Sequence, residues 1–153
     1  MNFLDALDTK VEDVERPPLL PIGTYEWQVM KAPTFDTIAN GDYDVCDFTL
    51  QCVAATDDVN PEELAPFNLS KQTQRLRFMF DKNDAVRFEQ AMFRLRVFLE
   101  QHLQIDAPPG TTMKELLSLA VGYRCLGHIR WRPNKDDPQI QYAEIDKTMP
   151  LAA

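Results

Sequence analysis

Histidine is scarce in this chain. His102 and His128 are the only two among 153 residues, which puts a histidine-rich metal site out of reach. Cysteine is nearly as sparse: Cys46, Cys52 and Cys125 form no Cys-x-x-Cys pair. Cys46 and Cys52 share the parity of Phe48 and Leu50 in a strand-like run, so they read as core thiols rather than ligands. No apolar stretch approaches the roughly 18 residues of a membrane helix, so no spanning segment is expected. The start, Met1 to Asp8, has neither a basic region nor an apolar run of signal length, and the expectation is an unprocessed, cytosolic protein. No phosphate loop, dinucleotide fingerprint or Ser-His-Asp arrangement is present, and no repeat or low-complexity tract. What remains, 44% hydrophobic and 26% charged, suits one soluble domain able to bury a core.

Charge is present in quantity and unevenly placed. The net charge is −8, yet Lys71 to Lys135 holds twelve Lys and Arg against six Asp and Glu, while residues 1–70 hold three against fourteen. A basic segment inside an acidic chain suits a protein with one face for a polyanion and a remainder that stays soluble.

Residues 1–22 read as an acidic arm, with an amphipathic start at Phe3, Leu4 and Leu7 and an extended lead-in at Pro17, Pro18 and Pro21; residues 23–151 form the domain. Gly23 to Ala32 alternates as a first strand, and a loop with Pro33, Asp36, Asn40 and Gly41 follows. Asp42 to Ala55 alternates as a second strand, and Thr73 to Phe80 as a third with Arg75, Arg77 and Met79 outward. A short helical turn is expected near Glu62 to Ala65. Asn83 is placed to cap a helix running to about Leu103. Its core arc is Phe88, Ala91, Met92, Leu95, Phe98 and Leu99, and Val86, Phe93 and Val97 lie almost opposite, a second stripe to be covered by the arm or by a homodimer contact. Thr112 to Glu115 fits a capping box for a second helix. Tyr123 to Pro133 and about Gln139 to Ile145 are the last two strands.

Three strands, a helical interval and two strands joined by a short turn fit a mainly β fold, a five-stranded OB-type Greek-key barrel with helices between strands three and four. An α+β sheet with helices on one side satisfies the same string. The length of the first three strands and the confinement of helical signal to one interval favour the barrel.

Pro21-Ile22-Gly23-Thr24-Tyr25-Glu26-Trp27, the aliphatic second strand, the helix after strand three and the Gly122 to Arg132 strand resemble a family of small bacteriophage proteins related to single-stranded DNA-binding proteins of OB fold. The resemblance covers about residues 17–151. It implies a role in phage DNA replication or recombination, a host-cytoplasmic location, single-stranded DNA as ligand, and replication or recombination proteins as partners. Many such proteins end in an acidic tail with an aromatic tip; here residues 148–153 read TMPLAA, and the N-terminal arm is the only comparable segment.

On an OB barrel the second and third strands carry the binding face, which singles out Arg75 and Arg77 for phosphates and Tyr43 as an exposed stacking platform. Arg124, His128, Arg130 and Arg132 form a second cationic row. Arg130, Arg132 and Lys135, nearest the hairpin, are the stronger candidates; Trp131, equally readable as core, and Tyr142 are further aromatics. Asp36, Asp42, Asp44 and Asp47 would suit a divalent metal if folded together, but without a basic or histidine partner in register they read as loop solubilisers. No catalytic residue, metal or cofactor is therefore expected. The reading from another class is a non-enzymatic protein-interaction module that uses the acidic arm and the Val86, Phe93, Val97 stripe.

Overall fold

The computed structural model describes residues 2–151; Met1 and the last two residues of the TMPLAA ending lie outside them. The chain is mainly β, a six-stranded antiparallel sheet with a few helices. Its strands are β1 (Gly23–Val29), β2 (Thr34–Ile38), β3 (Tyr43–Ala55), β4 (Thr73–Asp81), β5 (Arg124–Pro133) and β6 (Gln141–Met149). The helices are α1 (Phe3–Ala6), α2 (Pro61–Leu64), α3 (Ala85–Val97), continued by a π turn over Phe98–His102, and α4 (Met113–Leu119). Among the described residues no helix is long and apolar enough to cross a membrane.

Alternation makes the strands. In β1 Tyr25, Trp27 and Val29 are buried while Thr24, Glu26 and Gln28 are half-exposed, the two-residue period of a sheet with one face on a core. The Tyr25 hydroxyl donates to the Pro21 carbonyl at 2.7 Å and the Trp27 indole to the Gly127 carbonyl at 3.1 Å, so neither ring buries an unpaired polar atom. Gly127 is required: a Cβ there would stand 2.9 Å from the Trp27 ring. Phe48 and Phe78 meet Phe98 at 5.1 and 5.4 Å between ring centroids, which fastens the end of the long helix to the sheet. Cys46, Cys52 and Cys125 are free and buried, the first two as their parity implied, and burial pushes their thiols up to about 11, 11 and 12.

Several expectations need correcting. The strands number six, not five, because the segment read as a loop after Pro33 contains β2. Thr34–Ile38 pairs with Tyr43–Asp47 across a turn in which Ala39, Asn40 and Gly41 all have positive φ. Asn-Gly is the dipeptide that tolerates such a turn. Asp84, not Asn83, caps α3, accepting from the Val86 and Arg87 amides at 3.1 Å. The last strand starts and ends later than expected, at Gln141 and Met149, because it follows β5 back to Leu126.

β3 is the organising strand. Its first half pairs with β2 and its second half with β1 on one edge, and β4 lies along the other. The order runs β4, β3, β1, β5, β6, every neighbour antiparallel, so β4 and β6 point the same way. No ladder joins them, and the sheet is open at that seam. The π turn spans the gap, with His102 Nδ1 2.7 Å from Thr148 Oγ1 on β6.

Candidate nucleic-acid interface

The two cationic rows expected from sequence do not adjoin. β4 and β5 are separated by β3 and β1 in one direction and by β6 and the open seam in the other. Of the β4 pair, Arg75 is exposed and forms no ion pair among the described residues, whereas Arg77 is held by Asp47 on β3. Arg77 Nε and a terminal nitrogen donate to the two carboxylate oxygens at 2.8 and 2.9 Å, a bidentate fork. The hydrogen bond from Arg77 draws the Asp47 carboxyl below its ordinary value, against the opposing effect of partial burial. This arginine is already neutralised.

The second row is similarly occupied. Arg130 and Arg132 both reach Glu144 on β6, at 2.9 and 3.0 Å, because the ladder sets Arg130 directly opposite Glu144 and Arg132 two residues along the same face. Arg124 faces Glu26 at 3.7 Å, and His128 lies 2.9 Å from Asp146. Lys135 is exposed in the hairpin turn without an ion pair among the described residues. The hairpin does gather aromatics. Trp131, 37% exposed, turns its indole N–H to the Leu20 carbonyl at 2.9 Å, and Tyr142 is exposed with its hydroxyl accepting from Asn134. Arg130, Trp131, Arg132, Lys135 and Tyr142 therefore share one end of the domain.

A groove of about 720 Å³ opens at the seam between β4 and β6, floored by α3 and the π turn. Arg77, Arg94 and Lys147 stand on its rim, with Asp146 as its one carboxylate, and Met79, Phe93, Val97 and Ile145 form its apolar wall. Met79 and Arg94 continue into a shallower hollow that contains Tyr43, Asp81 and Arg87, where Tyr43 is half-buried rather than the exposed platform expected from its parity. Arg94 and Lys147 form no ion pair among the described residues. Neither was selected from sequence: Arg94 lies on a helix that reads as remote from the sheet face, and Lys147 lies beyond the expected end of the last strand. The opposing apolar stripe of α3 was the available signal, since it showed that this face of the helix was not core.

The four acids near the first loop are used locally. Asp47 holds Arg77, Asp44 accepts from Thr37 at 2.8 Å and faces Lys82 at 3.4 Å, Asp42 accepts from Asn83, and Asp36 bonds the Thr37 amide. Among the described residues no three His, Cys, Asp or Glu are grouped to hold a metal ion.

No protein-family model matches this chain, and no curated protein sequence matches it.

Proposed function

We propose that this protein binds single-stranded DNA without sequence preference and without catalysis, coating transient strands in phage replication or recombination. The observation that carries the reading is the seam groove, where Arg94 and Lys147 stand unpaired beside an apolar wall and near Tyr43. Single strands are bound by cations that follow the backbone and by aromatic faces on which bases stack, each stacked base contributing roughly 1–3 kcal/mol. The hairpin cluster of Arg130, Trp131, Arg132, Lys135 and Tyr142 supplies a second contact of the same chemistry.

We read the open six-stranded sheet as an OB-type arrangement, and that reading supports the assignment. With β1 and β2 taken as one interrupted strand, the order β4, β3, β1, β5, β6 matches that fold, whose barrels are partly open and whose ligands cross the second and third strands and the last hairpin. β3 and β4 are then the binding strands, and β5 with β6 the last hairpin.

The test is fluorescence anisotropy of a labelled oligo-dT at two salt concentrations. Binding in the micromolar range or tighter should weaken with salt, by a logarithmic slope of roughly 0.7 per neutralised phosphate, and should fall in Arg94→Glu and Lys147→Glu. Absence of binding at low salt would sink the proposal. It would favour the protein-interaction module, which the neutralisation of Arg77, Arg130 and Arg132 and the net charge of −8 support.

A further inference from the structure

The arm and the outer face of α3 are both apolar and both uncovered. Phe3, Leu4, Leu7, Val11 and Val14 are 62–87% exposed, and Val86 and Phe93 are 65% and 62% exposed. On a helical wheel turning about 100° per residue, the five arm residues fall within an arc of about 100°. Asp5, Asp8, Glu12 and Glu15 run along one flank of that arc, and Lys10 lies on the other. The arm is helical only at Phe3–Ala6 and in a 3₁₀ turn at Val11–Asp13. A segment this short gains a continuous helix chiefly by burying its apolar face.

The same wheel places Val86, Phe93 and Val97 of α3 in one stripe, with Arg87 and Arg94 along one flank and Glu89 on the other beside Arg96, which Glu100 already neutralises at 3.2 Å. Antiparallel helices bring like flanks together, so the acids of the arm meet Arg87 and Arg94, and Lys10 meets Glu89. The stripes also match in length. Leu4 to Val14 spans about 15 Å and Val86 to Val97 about 16 Å, at about 1.5 Å per residue. In antiparallel register Val14 lies at Val86, Leu7 at Phe93 and Phe3 at Val97, with Glu12 beside Arg87. The other apolar hollow, between β2, α3 and α4, has Asp36 and Asp44 on its rim and repels an acidic segment.

We propose that residues 2–16 of one copy fold as a single helix, antiparallel, onto the Val86, Phe93, Val97 face of α3 in a second copy. The chain's own arm cannot make this contact. Arg16 is tied to the Gln139 carbonyl in the hairpin turn, and Leu20 and Pro21 are buried beside it, at the end of the sheet where β4 begins. Val86 lies past the opposite end, where β4 finishes, and nine residues of strand span roughly 30 Å. The two residues from Val14 to Arg16 reach about 7 Å at most.

The test is the solution mass of the full chain without DNA, measured by sedimentation from micromolar to about millimolar concentration. The expected result is concentration-dependent association above 17.6 kDa. Leu4→Asp with Leu7→Asp should weaken it at least about tenfold, as should Phe93→Asp, with thermal unfolding unchanged because all three side chains are exposed. Arg87→Glu should weaken it and regain it when mixed with Glu12→Arg chains. A chain that stays monomeric throughout, or association indifferent to the arm substitutions, would overturn the proposal. Phe93, Arg94 and Val97 also border the seam groove, so the docked arm covers part of the proposed DNA site. Association is measured without DNA, and oligo-dT binding on monomeric chain at low concentration, so that failure of one reading is distinguishable from failure of the other.

Discussion

At the hairpin Arg130 and Arg132 share one carboxylate, Glu144, whereas at the seam Arg94 and Lys147 have none. The hairpin charges are close in sequence and were visible as a row, but the ladder that aligns them also aligns their neutralising partner. The seam charges come from separate elements, α3 and β6, which meet only when the sheet curls. Basic density along a chain thus measures how much charge is available. Free charge depends on whether an acid faces it across the nearest ladder, and by that criterion more of it lies at the seam than at the hairpin.

The largest expected effect strikes both regions at once. Phe98 is buried against Phe48 and Phe78 under the seam groove, and truncating such a ring typically costs about 3–5 kcal/mol. Urea unfolding of Phe98→Ala should show that loss; a loss under about 1 kcal/mol would mean that the seam floor is not packed as described.

Charge reversal then separates the two surfaces. Arg94→Glu with Lys147→Glu is expected to weaken oligo-dT binding by at least about tenfold, while Arg130→Glu with Arg132→Glu should cost about threefold, since those guanidiniums must first leave Glu144. The reverse order in an anisotropy titration would reverse the comparison. Glu144→Gln sharpens it further: releasing both hairpin arginines should tighten binding by about two- to fivefold, the range of an exposed ion pair. No gain would indicate that Glu144 does not compete with DNA.

The smallest effect concerns Asp47. Its carboxyl is held below the ordinary value by the Arg77 hydrogen bond, so the folded state binds its proton less readily than the unfolded chain. That contribution to stability is complete above the unfolded value of about 3.9 and is lost as pH falls through the lower folded one. Asp47→Asn should therefore lower stability by less than about 1 kcal/mol near neutrality and flatten its fall with acid below about pH 4. Urea midpoints at both pH values test this, and a parallel fall in the variant would assign the acid sensitivity to other groups, such as Asp58, which the Thr24 amide and hydroxyl likewise hold down.

The strands were legible wherever one face is buried. Tyr25, Trp27 and Val29, or Phe48 and Leu50, declare their parity because alternate side chains must all reach one core. β2 was obscured because its residues are mostly exposed, so no apolar alternation marked it; Asn40-Gly41 was the available sign of a hairpin. The arc of α3 was readable in Ala91, Leu95, Phe98 and Leu99, although Phe88 of the same arc remains 37% exposed at the rim of the apolar hollow. Among the site residues, Arg75, Arg77, Arg130, Arg132 and Lys135 lie on the outward or turn positions that parity assigned. Their partners could not be read in the same way, because Asp47 and Glu144 meet their arginines across ladders whose register is set by the whole sheet.

Local order, then, determined the alternating strands, the amphipathic helix, the buried thiols and the separation of acidic arm from basic half, since each depends on neighbours within a few residues. Only the tertiary structure decided which cations are free, that Arg94 and Lys147 border one groove, and that the arm's base and the start of α3 lie at opposite ends of the sheet. Those relations join residues dozens of positions apart, and strand order and register, to which every strand contributes, bring them together.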